Sequence, residues 1–315
     1  MDNQDVIPND VISKRFGTLQ GTEPLFGQKE YSVSKEMLKE WTDLFLNNNS
    51  VAIKNAVAIQ GVSFTPDCVE FLFLTCDRLK MPNEVKYLSL ELYDRFMNKH
   101  VEELYNHVKE SGQNKATEWN EIMKRVKNQV ELRIVSCIQI SSKLTSHHRI
   151  LGPTKARRLL LDAGRRYSKE SLLLAELRVL KTLNYHVSVP SSLTYLDFLL
   201  ETLSQTDINV DVHTIREVAL QFLDTVYLQY THMYTCLHQI TSGGFCPFDE
   251  EKFAPVKADK LLLTATVVTA AAYALKKESH EAVLITLSKV TRIPPEEIAD
   301  FTSIVIQTLL KSTES

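Results

Sequence analysis

The sequence predicts an all-α protein: two helical domains in tandem, preceded by an N-terminal helix and a flexible arm. Three observations carry that prediction. Apolar residues recur at three- and four-residue spacing along most of the chain. Nine glycines and ten prolines in 315 residues are too few for a fold dense in strands and turns. Two stretches, Gln129 to Leu144 and Ala258 to Lys277, mix large apolar residues with small ones, the pattern of a helix packed inside other helices. A chain of this length, 44% hydrophobic, can bury a large core and divide into two domains.

In order, residues 1–33 hold Pro8, Gly17, Gly21, Pro24 and Gly27 without a sustained period and read as a flexible arm, with Phe16 and Phe26 as candidate anchors. Ser34 caps a first helix whose apolar face is Met37, Leu38, Trp41, Leu44 and Phe45. Thr65-Pro66 opens a second helix, which Met81-Pro82 ends. Asn83 and Glu84 open a third, apolar on most sides, running to the His100 region. After the polar stretch 101–127 comes the central helix, in which Val130, Ile134, Val135 and Ile138 are apolar and Ser136, Cys137, Ser141 and Ser142 are small. Lys143 closes it. By itself that lysine reads either as a helix-end side chain snorkelling to water or as a charge placed to meet a partner. A helix over 154–161 and one capped by Ser168 complete the first domain, 34–189.

Val189-Pro190 marks the boundary, and the second domain, 190–315, begins with a helix capped by Ser191 or Ser192. A single helix is expected from Val212 to about Tyr234, then a loop from Thr241 to Pro255, then the small-residue helix with Ala265, Ala270, Ala271 and Ala272. Helices over 281–290 and 295–311 finish the chain.

Three segments in this order, YLSLELYDRF from Tyr87, VSCIQISSK ending at Lys143, and AELRVLKTLNY from Ala175, resemble successive landmarks of the cyclin box. The resemblance covers roughly Lys35 to Leu310 and implies two cyclin-like five-helix domains, the second more divergent. It also implies that Lys143 and Glu176 correspond to the lysine and glutamate with which cyclins hold a cyclin-dependent kinase. The alternative for Glu176 is a surface carboxylate pairing with Lys169 or Lys181. The match has departures. Thr65 stands where cyclins carry an arginine for the aspartate of the YDRF-like motif, so Asp94, beside Arg95, needs another partner. Phe64, Cys68 and Phe71 fall near the patch with which cyclins dock substrates, but Glu131 replaces the expected neutral amide. The link over 101–127 is longer than usual and charged, and reads as a helix-and-loop excursion on the surface. Thr145, Ser146, His147 and His148 replace an acidic pair after Lys143.

No nucleotide, hydrolase, zinc-protease or kinase motif is present, so no enzyme and no cofactor are expected. His232, Cys236, His238 and Cys246 form a group whose spacing matches no common structural zinc site, and no metal is expected. Lys155, Arg157, Arg158, Arg165 and Arg166 read either as a solvated helix face or as a nuclear-import or nucleic-acid cluster. A formal charge of −3 gives no overall attraction to nucleic acid or anionic lipid. The five scattered cysteines read as reduced thiols, and the acidic, polar N-terminus lacks an apolar signal core.

The expectation is thus an intracellular regulatory protein that binds a cyclin-dependent kinase and no membrane. Within the family the overall likeness is to the meiotic, crossover-maturing group, which implies a nuclear, chromosome-associated setting among recombination proteins. The competing readings are a cyclin-fold scaffold in a recombination or ubiquitin-ligase complex without productive kinase binding, and a nucleic-acid binder of the transcription-factor-IIB type, which the charge disfavours.

Overall fold

The computed structural model describes residues 24, 26, 33–110, 115–146, 149–243, 249–275 and 279–313. Among them are fourteen α-helices and no strand. The N-terminal helix α1 spans Lys35–Lys54, with the Ser34 side chain accepting from the Met37 amide. Five helices follow: α2 Pro66–Arg78, α3 Asn83–Glu110, α4 Lys115–Lys127, α5 Val130–Thr145 and α6 Pro153–Asp162; α7, Lys169–Thr182, closes the first half. Caps expected at Thr65 and Ser168 form, each accepting from the amide three residues on.

The second half contains α8 Ser192–Ser204, α9 Val212–Leu228, α10 Tyr230–Thr241, α11 Glu250–Ala258, α12 Lys260–Leu275, α13 His280–Thr291 and α14 Pro295–Thr313. Ser191 caps α8 in a reciprocal box with Thr194.

Each half is built around one fully enclosed helix. Helix α5 is buried from Ile134 to Ser142 and packs on α2, α3, α6 and α7. Its counterpart α12 is buried from Leu261 to Ala272 and packs on α8, α9, α13 and α14. Small side chains let neighbouring backbones close on both, as the sequence pattern requires. No single described helix is long and apolar enough to cross a membrane.

Several elements differ from expectation. Helix α3 continues a further ten residues past His100, to Glu110, and with α4 it forms the excursion over 101–127. Helix α4 buries no residue; its Trp119 meets Tyr105 of α3 edge-on, ring centroids 5.6 Å apart. The expected single helix over 212–234 is broken at Gln229 (ψ 27°), because Tyr230 turns in to pack on Phe64, Tyr227 and Tyr234. The expected loop before α12 contains α11, which Asp249 caps by accepting from the Glu251 and Lys252 amides, and which Phe253 and Ala254 anchor. Helix α1 makes its principal contacts with α8, α11 and α12 of the second half, Phe45 packing on Tyr195 and Phe198. The arm mostly lies outside the described residues, Phe16 included; Phe26 is buried beside His213.

The two halves share one hydrophobic core and are also joined by polar ties that radiate from α3. Lys86 meets Asp224 of α9 at 2.8 Å, and the Tyr87 hydroxyl donates to the same carboxylate at 2.7 Å. Glu91 pairs with Lys260 at the start of α12. Asn49 of α1 donates to Asp259 and accepts from the Lys260 and Leu261 amides. The sequence signal for these ties is Lys86, a charge inside the run Val85 to Leu90 whose other members are all buried.

Candidate functional site

Lys143 and Glu176 lie in different helices, 33 residues apart, and the fold brings them together. Lys143 is in the last turn of α5, where the helix leaves the core, and Glu176 is at the middle of α7, which packs along α5. The chain beyond α5 is held back against the core: the buried Ser142 hydroxyl donates to the Gln139 carbonyl and accepts from the Leu151 amide at 3.0 Å. Lys143 Nζ therefore stays over α7 and donates to Glu176 Oε1 at 2.5 Å. Their side-chain exposures, 42% and 10%, assign the roles: the carboxylate is nearly buried and the ammonium faces solvent. The alternative partners Lys169 and Lys181 are not what Glu176 meets. An ammonium has three donors, so Lys143 retains donors for an approaching carbonyl or carboxylate while Glu176 holds it in place.

The surroundings are apolar. Leu144 and Ile150 on the α5 side and Leu173 and Leu177 on the α7 side are all exposed, the last two within one turn of Glu176. An opposite-sign pair on an exposed apolar helical face sets register and partner choice more than raw affinity. His147 and His148 lie outside the described residues. Thr145 and Ser146 occupy the start of the loop, and Ser146 accepts from the Arg149 amide.

Asp94 finds its replacement partners in the turn between α1 and α2 and one turn on along α3. Its carboxylate accepts from the Gly61 amide at 3.2 Å, from Gln60 Nε2 at 3.1 Å and from Asn98 Nδ2 at 3.2 Å. Burial nevertheless pushes its pKa up to about 6, the hydrogen bonds from Gly61, Asn98 and Ser63 offsetting part of that. Gly61 is required there: φ is +73°, and a Cβ would lie 2.3 Å from the Tyr230 ring. Thr65, in the place of the family's arginine, caps α2. Arg95 donates to the His186 carbonyl at 2.9 Å and so ties α3 to the segment after α7.

The expected docking patch is only partly assembled. Cys68, Phe71 and Glu131 line a groove of about 620 Å³ between α2, α3 and α5, to which α4 adds a wall through Met123 and Val126. Phe64 is a correction: it is buried edge-on against Tyr227 and Tyr230, because its place before the Thr65 cap aims it at the second half. Glu131 Oε1 accepts from Arg165 at 2.8 Å, while its other oxygen is buried without a hydrogen-bond partner among the described residues.

That ion pair withdraws Arg165 from the basic cluster; Lys155, Arg157, Arg158 and Arg166 are exposed. His232 and Cys236 share one face of α10 at 3.8 Å, His238 packs edge-on against Phe253, and Cys246 lies outside the described residues. No cluster that could hold a metal occurs among the described residues. Cys76 and Cys137 are buried core thiols; burial pushes the former up to about 12 and the latter well above the usual thiol range.

Residues 34–188 match the family model for the cyclin N-terminal domain. The mouse (Mus musculus) cyclin N-terminal domain-containing protein 1 is 31% identical over 263 residues, covering 82% of this chain and 79% of the relative. The chain belongs to the cyclin family. The human (Homo sapiens) protein of the same name as the mouse relative is 29% identical over 279 residues, covering 87% of this chain and 84% of the relative. The all-α arrangement around α5 is thus a cyclin fold, in a family that is generally regulatory rather than catalytic and whose domain suggests a kinase partner in general terms. In this cyclin the matched span runs from Ser34 through α7 and contains Lys143, Glu176 and Asp94.

Proposed function

We propose that the protein is a non-catalytic cyclin-type subunit that binds a cyclin-dependent kinase through the face centred on Lys143 and Glu176. The observation that carries the reading is the pair itself: a nearly buried carboxylate holding an exposed ammonium at 2.5 Å, bordered by exposed leucines and an isoleucine. Nothing in the packing of either half requires apolar side chains on that surface, whereas a helical partner does. Two cyclin-type units, 34–189 and 190–315, make up the subunit in this proposal, the second steadying the first through α1, α3 and α9. Likeness to cyclin N-terminal domain-containing protein 1, together with the sequence resemblance to crossover-maturing cyclins, supports a nuclear role on meiotic chromosomes in crossover maturation.

The test is co-purification of the wild type and of a Lys143→Glu, Glu176→Lys variant with a panel of cyclin-dependent kinases, with helical content followed by circular dichroism. The expected result is retention of one kinase by the wild type, and its loss on charge reversal with helicity unchanged. A wild type that retains no kinase would overturn this reading in favour of a scaffold that keeps the fold alone.

A further inference from the structure

A second groove, of about 490 Å³, runs between α1 and α8 and is separate from the one at Cys68. Its walls are apolar: Trp41 and Leu44 of α1, Leu88 of α3, and Leu193 and Phe198 of α8. Leu44 and Trp41 remain substantially exposed although they face it. Its charged lining is acidic, Glu84, Asp197 and Glu201, with no cation among the described residues that line it. Asp197 is already bound by the buried Arg216 at 2.7 Å and the buried Glu201 accepts from Gln205 at 3.1 Å, which leaves Glu84 at the exposed edge as the carboxylate most open to an occupant and Glu201 with a second oxygen deeper within. An occupant with aromatic or aliphatic anchors and adjacent positive charge fits this lining.

The chain itself supplies such a segment at the right place. Pro24, the first described residue, lines the groove, and so does Phe26, so residues 1–23 connect directly to its rim. Within them the sequence Lys14-Arg15-Phe16-Gly17-Thr18-Leu19 places two anchors three residues apart next to the only two cations before Lys29. Eight residues lead from Pro24 back to Phe16, up to about 26 Å when extended. That reach covers the α1 wall of the groove, where Trp41, Leu44 and Phe45 lie within little more than one helical turn.

We propose that residues 14–19 dock in the α1–α8 groove, Phe16 and Leu19 against Trp41, Leu44 and Leu193, and Lys14 and Arg15 towards Glu84 and Glu201. Docking there would cover the exposed Trp41 and Leu44 of α1, and Thr145, two residues beyond Lys143, lines the same groove. It therefore borders the proposed kinase-binding face, but the docking does not depend on that reading.

The test uses the full chain with a photoreactive benzoylphenylalanine at position 16, irradiated as a mixture of isotopically labelled and unlabelled protein and mapped by mass spectrometry. Cross-links from position 16 to Trp41, Leu44 or Leu193 within one chain are expected. Glu84→Lys lowers their yield by roughly two- to fivefold, the scale of one exposed charge pair. Leu44→Glu, at a position 53% exposed, is expected to abolish them with circular dichroism unchanged. Cross-links between labelled and unlabelled chains would show that the groove takes a second copy instead. Those, cross-links outside the groove, or none at all would each overturn the proposal.

Discussion

Helices α5 and α12 are the same device used for opposite ends. Both are sixteen-residue helices enclosed by their neighbours, four around α5 and five around α12, and both carry one lysine in a terminal turn. On α5 the lysine is in the last turn and points out, 42% exposed over Glu176. On α12 it is first and points in, with Lys260 and Glu91 only 15% and 17% exposed. A pair that remains partly in water costs little to form and can be shared with a partner, whereas a pair taken into the core has exchanged hydration for a fixed geometry. The comparison teaches that one central helix leaves its charge at the surface, where the proposed partner would meet it, and the other uses charge to set how the two halves meet.

Removing half of the buried pair gives the largest expected effect. Lys260→Met leaves the Glu91 carboxylate enclosed without its cation and destabilises by roughly 3–5 kcal/mol in urea unfolding, and adding Glu91→Leu recovers most of it. If the single variant costs as little as a surface change, the contrast between the two helices fails.

Asp94 sharpens the contrast through pH. Its pKa is raised from 3.8 to about 6, chiefly by burial, so between about pH 4 and pH 6 the folded chain holds a proton that the unfolded chain has released. The stability contributed by that proton is complete below pH 4 and is lost as pH rises through 6. The wild type should therefore lose on the order of 1–3 kcal/mol relative to Asp94→Asn over that interval. A constant difference between the two unfolding profiles would contradict the assignment.

The smallest effect on stability belongs to Lys143→Ala, about 1–2 kcal/mol: the ammonium is largely in water, but the Glu176 carboxylate that it leaves behind is nearly buried. Thermal melting of this variant beside Lys260→Met compares the two helices directly.

Much of this was legible in the sequence, and what was not has physical causes. Ser136, Cys137, Ser141 and Ser142 announce an enclosed α5 because little else places four small residues among Val135, Ile138 and Ile140. Caps at Ser34, Thr65, Ser168 and Ser191 are local chemistry and were readable as such. Lys143 and Glu176 could be paired only through the family resemblance, since periodicity says nothing about contacts 33 residues apart. The break at Gln229 was hidden because the apolar period runs through it, and the cause is tertiary: Gly61 leaves space that the Tyr230 ring fills. Phe64 was misplaced for a related reason, its environment being made by Tyr227 and Tyr230 from the far half. Helix α11 was masked by Pro255, whose effect on helix propensity is outweighed by the Asp249 cap and the burial of Phe253 and Ala254.

The central claim is that the α5 charge serves recognition and not folding. Its most direct test measures Lys143→Ala twice: by calorimetric titration with the kinase that the wild type retains, and by thermal unfolding alone. The account predicts an affinity loss of at least about thirtyfold with a melting temperature within a few degrees of wild type. Unchanged affinity, or a loss of affinity matched by a comparable collapse in stability, would contradict it.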